Sequence, residues 1–261
     1  MDDTTVLRVL AAADAAPSLP RLGGMARPDG VAIVSERFWS FSRADETSVD
    51  VRPMPRSRST VARLPFLRGL VKLASAIVPL LGRNATASTK ERLILLAALA
   101  APVLLFGVPA SYRTPALAAM SILLVCWMFR GRTLRLHGAE HRAIAAAESR
   151  ALVTTWYGLT RPTRFSPRCG TNFAVLTIAV SALVERVIVI PSATLAPFCV
   201  TLVSLMITME IWLLAQRSAG LLTRLLLTPG LLVQRLTTRE PSVEDTRVAL
   251  RAVAALLAVD G

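Results

Sequence analysis

The sequence predicts a mainly α fold. In it, a four-span helical membrane bundle with amphipathic interfacial helices carries a small N-terminal cytoplasmic β-hairpin region. Three observations carry this expectation. Hydrophobic residues make up 53% of the 261 residues, and the mean hydropathy is +0.53, above that of a water-soluble domain. From about residue 93 onward, apolar runs of helix length alternate with arginine-bearing connections. Near the N-terminus, the turn word Pro28-Asp29-Gly30 precedes the strand-like run Val31 to Phe41.

Two regions follow from this pattern. Residues 1–62 read as a water-exposed region: a hairpin of Val31–Phe41 and Thr47–Arg52 turning at 43–46, then a basic linker with Pro53, Pro55 and Arg56 to Arg63. The first 24 residues lack the charged-then-apolar order of a secretory signal, so insertion is expected to begin at the internal segment near residue 93. Residues 63–261 read as the membrane domain. Leu64 to Leu81 is apolar but carries Arg68 and Lys72, which predicts an amphipathic helix at the interface rather than a span. Spans are expected at about 93–108, 116–129, 172–191 and 195–214, with Glu185-Arg186 at the outer end of the third. Between the second and third lies a polar loop, 130–168. The amphipathic tail 219–261 breaks at Pro229-Gly230 and ends in a helix from Val243 to Leu257.

Arginines orient the bundle. Eight fall between 130 and 168, against one each, Arg113 and Arg186, in the two connections on the other side. The positive-inside rule then places both termini and the 130–168 loop in the cytoplasm. The net charge of +13 fits the same reading, with anionic membrane lipid as the partner. No nucleic-acid-binding motif accompanies the charge, and aromatic residues are only 5%, so a nucleic-acid function is excluded. Three scattered cysteines, Cys126, Cys169 and Cys199, do not make a disulfide framework.

Both histidines of the chain fall in the word His137-Gly138-Ala139-Glu140-His141. On a helix, positions i, i+3 and i+4 share a face, and two imidazoles one turn apart can grip one transition metal. H-x-x-E-H is also the inverted zinc-hydrolase pattern, in which Glu140 is the candidate catalytic base. The expected topology brings Cys169 and the intramembrane Glu210 to the same face. His137, His141, Cys169 and Glu210 are therefore the candidate ligands of a divalent metal such as zinc. The plain alternative is an interfacial helix whose histidines and glutamate bond to neighbouring loops. For Glu210, the metal, Arg142 and Arg217 are alternative partners.

These residues carry a resemblance. Leu136-His137-Gly138-Ala139-Glu140-His141-Arg142, Pro167-Arg168-Cys169-Gly170-Thr171 and the stretch Pro229 to Pro241, PGLLVQRLTTREP, resemble the motifs of the YqhQ-like family of bacterial multi-pass membrane proteins. Glu210 and the entry Leu64-Pro65-Phe66-Leu67-Arg68-Gly69 are similar to further family positions, and the likeness runs from about residue 24 to 257. The resemblance implies the bacterial cytoplasmic (inner) membrane as location and supplies no reaction. Ser166 stands where the family has a histidine, and Gly23-Gly24-Met25-Ala26-Arg27 is a remnant of a longer family motif.

Three functions are compatible with this reading. The first is a non-enzymatic membrane protein whose metal staples the 130–170 segment and which docks lipid or a cytoplasmic protein partner. The second is a membrane-embedded metal-dependent hydrolase. The third is an ion or metal transporter, against which speak the few buried polar residues of the four spans and the lack of a visible inverted repeat.

Overall fold

The structure is a computed structural model and describes residues 1–54, 64–71, 74, 89, 92–94, 96, 97, 100, 109–188, 195–217 and 220–260. The linker 55–63, half of the expected interfacial helix 64–81, most of the expected span 93–108 and residues 189–194 lie outside the described residues. The chain divides into two compact units. Unit 1 comprises Met1–Met54, Met128–Cys169 and Leu231–Gly261; unit 2 comprises Pro55–Trp127 and Gly170–Gly230. The boundary expected at 62/63 is thus replaced by a discontinuous one, because the 130–168 segment and the last helix share a core with the N-terminal region.

Unit 1 is an α-plus-β layer. Helix α1 (Asp3–Ala15) precedes four antiparallel strands, β1 (Gly23–Arg27), β2 (Gly30–Val34), β3 (Phe38–Arg43) and β4 (Val49–Pro53), paired in the order β1-β2-β3-β4. The sequence-based hairpin corresponds to β3–β4. The single strand expected over 31–41 is two strands, split at 35–37, where Ser35 Oγ accepts from the amides of Arg37 (3.3 Å) and Phe38 (3.1 Å). A side chain that satisfies turn amides competes with strand continuation.

The sheet's two faces follow from strand alternation. Val31 and Ile33 point into the main core, while Ala32, Trp39 and Phe41 cluster on the other side. Arg27 lies 4.7 Å from the Phe41 ring centroid on that second face. The main core is closed by α3 (Thr133–Glu148), the short α4 (Leu152–Trp156) and α8 (Val243–Asp260). Leu136, Ala139, Ala143 and Ala146 of α3 meet Ala249, Leu250, Val253 and Leu256 of α8, all fully buried. Small side chains let these helices approach closely, and burial of the larger ones supplies the hydrophobic driving force. The expected polar loop 130–168 is therefore two helices and an irregular run, with α3 in the interior. The expected helix Val243–Leu257 is present as α8.

Unit 2 contains α2 (Ala110–Met128, up to its end at Trp127), α5 (Gly170–Val187), α6 (Leu195–Ala215) and the start of α7 (Leu221–Thr237). Helices α5 and α6 are long and apolar enough to cross a membrane. They pack through Leu176, Val180 and Val184 of α5 against Val200, Val203 and Ile207 of α6. Their outward faces are also apolar: Ile178, Leu183, Val187, Phe198 and Leu214 are exposed. A helix that is apolar on all sides requires an apolar surround. Helix α7 runs through Pro229 instead of breaking there.

Also in unit 2, Glu210 of α6 accepts from Arg68 Nε (2.8 Å) and the Phe66 amide (2.9 Å), and a second ion-pair contact joins Arg68 to its other oxygen. Two charges that the sequence presents as separate features, one in an amphipathic helix and one in a span, are one pair. If they act as a pair, Glu210→Ala and Arg68→Ala each lower thermal stability, and the double variant falls no further than the worse single. Additive losses in melting temperature contradict the pairing.

Candidate metal centre

Helix α3 carries the histidine word with the expected side-by-side placement: the His137 and His141 ring centroids are 4.5 Å apart. Two segments of unit 1 orient them. The end of α7 lies beside α3, where the Arg239 amide donates to Leu134 O at 2.9 Å. At the same contact Thr237 O meets His137 Nδ1 at 2.8 Å. The irregular run after α4 brings Arg164 O to His141 Nδ1 at 2.7 Å. A carbonyl only accepts, so each Nδ1 carries the proton and each Nε2 keeps its lone pair.

Cys169 completes the group. Its Sγ lies 3.3 Å from His137 Nε2. One ligand atom from each of His137, His141 and Cys169 lies within 4.8 Å of the others, the one such group of three among the described residues. Cys169 is placed by a clamp: fully buried Gln234 accepts from the Ser166 amide (2.9 Å) and donates to Ser166 O (2.7 Å). Ser166 is thus held through its backbone. Arg168, next to the thiol, is ion-paired with Glu148.

Electrostatics favour neutral imidazoles. Burial pushes His137 below its ordinary value, and burial together with the neighbouring His137 ring pushes His141 down to about 4. Both rings are unprotonated at neutral pH, as metal ligation needs. Behind them, Glu240 accepts from Arg142 Nη2 at 2.7 Å and Arg164 Nη1 at 2.9 Å. Burial raises the Glu240 carboxyl, but those two arginines outweigh it and hold it below the usual range. The Arg164 whose carbonyl orients His141 is therefore itself anchored. Such second contacts fix ligand rings in metal sites.

The other two expected site residues are placed elsewhere. Glu210 is held by Arg68 in unit 2, and Arg142, one of its expected partners, is taken by Glu240. Glu140 is absent from the cluster of three. It is buried under β1, where a Cβ on Gly24 would sit 2.8 Å from its Oε1. Burial pushes its carboxyl up to about 8, so it is protonated at pH 7 and unsuited to act as a base there.

Because the folded-state value of Glu140 lies above the ordinary 4.5, the unfolded chain gives up this proton first as pH rises. The residue thus costs stability progressively from about pH 4.5 to about pH 8. Glu140→Gln removes that dependence. Its thermal midpoint, relative to the parent, should rise steadily between pH 5 and pH 8, and parallel pH profiles would count against the buried carboxyl.

Sequence reasoning missed the orienting residues Thr237, Arg164, Gln234 and Glu240. For Gln234, Thr237 and Glu240 a signal was present as the polar run from Gln234 to Glu240, whose role becomes visible only when α7 meets α3; Arg164 lies outside it, in the irregular run after α4.

The model of the family described as protein of unknown function (DUF1385) matches residues 116–259, from α2 to α8. The chain is similar to the uncharacterized protein YqhQ of Bacillus subtilis (strain 168), 31% identical over 138 residues, which is 49% of this chain and 42% of that protein. The match thus spans less than half the length of that relative. No solved structure matches the chain.

Proposed function

The chain belongs to the DUF1385 family, and we propose that it is an integral membrane protein carrying a divalent-metal site on a water-exposed unit. His137, His141 and Cys169 would hold the ion. One observation carries this reading: each imidazole commits Nδ1 to a backbone carbonyl, which leaves the Nε2 lone pair for an ion, and the Nε2 of His137 lies 3.3 Å from the Cys169 thiol. Two imidazoles and a thiolate suit zinc, and three protein donors leave one position for water. The metal would staple the irregular run ending at Cys169 onto α3, a structural role. Metal analysis of the detergent-purified chain tests it. About one equivalent per chain is expected, lost in His137→Ala/His141→Ala, and a metal-free parent would sink the proposal.

For the membrane placement, the support is the apolar exterior of α5 and α6 and the arginine asymmetry of the sequence. We read four spans in the bacterial inner membrane with both termini cytoplasmic. Exposed Leu221, Leu222, Leu225, Leu232 and Leu236 form one stripe of α7, flanked by exposed Arg224 and Arg235. That amphipathic face suits an anionic lipid surface, and a cytoplasmic protein partner would dock on unit 1. A metal-dependent hydrolase is the second reading, favoured by the open fourth position. There the metal would polarise a scissile bond, and turnover should be lost together with the metal in His137→Ala/His141→Ala.

A further inference from the structure

A separate cavity of about 250 Å³ lies in unit 1 where the run after α4 meets the start of α8. Arg142, Thr155, Thr160, Arg161, Ser242 and Thr246 line it, and none of its lining residues is acidic. The acidic residues flanking it in sequence are engaged: Glu240 by Arg142 and Arg164, Glu244 by Arg247, Asp245 by Arg132 and Arg135. Among the described residues, Arg161 then leaves the lining with an unpaired positive charge.

Three sets of donors converge there. The Arg142 side chain is only 7% exposed. Its Nε donates to Pro162 O and its Nη2 to Glu240, while Nη1 makes no hydrogen bond among the described residues. Arg161 is exposed and makes neither an ion pair nor a hydrogen bond among the described residues. Helix α8, which begins at Val243, adds the amides of Val243 and Glu244; the Ser242 amide donates to the Asp245 carboxylate at 3.2 Å and the Asp245 amide to the Ser242 hydroxyl at 3.0 Å. A buried guanidinium, a free one and a helix N-terminus are complementary to an anion with several oxygens.

We propose that this cavity binds a phosphoryl group, presented by free phosphate, a soluble phosphomonoester or a lipid headgroup. The cavity is roomier than a bare phosphate, which leaves space for the esterified carbon. The site shares no ligand with the histidine–cysteine group and does not rest on the metal reading.

The test is calorimetric titration of the full chain in detergent with inorganic phosphate and with glycerol 3-phosphate. A third arm uses nanodiscs of phosphatidylcholine with and without phosphatidic acid. Saturable binding is expected in at least one arm, weakening as salt rises. It should drop about tenfold or more in Arg161→Ala and recover partly in Arg161→Lys. Arg161 has no partner to lose among the described residues, so this variant should fold, which circular dichroism and an unchanged melting temperature without ligand would verify. Saturation by a soluble phosphate identifies a soluble ligand, and saturation only with phosphatidic acid identifies a headgroup. No saturable binding in any arm, or equal affinity in Arg161→Ala, overturns the proposal.

Discussion

Removing the imidazoles in His137→Ala/His141→Ala should abolish the metal-dependent part of the protein's stability. An ion that binds only the folded state stabilises it by about 2.7 kcal/mol when its free concentration is a hundred times its dissociation constant. Chelation of the parent should therefore lower its melting temperature to near that of the variant. The variant itself should not respond to chelator or to added zinc. The effect should be large because both ligand rings are pre-oriented, His137 by Thr237 O and His141 by Arg164 O, so little ordering remains to be done on binding. Cys169→Ser should weaken the ion's affinity without removing it, since two nitrogen donors remain. If chelator leaves the parent's midpoint unchanged, the stapling role fails, whatever the ion content.

Gly138→Ala should be strongly destabilising, against the usual helix preference. Alanine is favoured over glycine by about 1 kcal/mol in an ordinary helix interior. Here a Cβ would stand 2.3 Å from Arg239 O, a backbone atom that cannot swing aside. The Arg239 segment is tied to α3 through its amide bond to Leu134 O. To relieve the contact, the end of α7 must lift, and Thr237 O leaves His137 with it. A loss of about 1–3 kcal/mol is expected from overpacking of this kind, together with weaker metal binding. Thermal unfolding with and without zinc would show both effects. A raised melting temperature would mean that α7 and α3 do not approach so closely.

Much of the site was legible in sequence, and the reason lies in its locality. His137 and His141 share a face because helical spacing alone dictates it, and Cys169 belongs with them, as expected. Glu210 does not, because its partner Arg68 lies 142 residues away and pattern reasoning cannot pair such distant charges. Glu140 shows a finer limit. Its register on α3 was correct, but the burial under Gly24 that keeps it neutral comes from a strand more than 100 residues earlier.

The fold was legible to a similar degree. The apolar character of α5 and α6 is written in composition, whereas the interior position of α3 is disguised by its arginines and its many small alanines. Helix α1 had a signal, Val6, Leu10 and Ala13 at helical spacing, but its short apolar side chains made a weak one. The Ser35 turn inside the expected strand depended on one hydroxyl. Pro229 normally ends a helix, yet α7 continues past it.

The discontinuous make-up of unit 1 also sets an order of events during synthesis. Its first stretch, Met1–Met54, leaves the ribosome before either excursion through unit 2, and α8 follows both. Until α8 is made, Val31, Ile33, Leu136 and Ala143 lack much of the surface that buries them. On the membrane reading, the water-side core closes only after both apolar excursions have been threaded. Closure of that core is then a built-in receipt for completed insertion. A chain stalled before residue 243 would display a greasy, half-covered sheet, the kind of surface on which chaperones and proteases act.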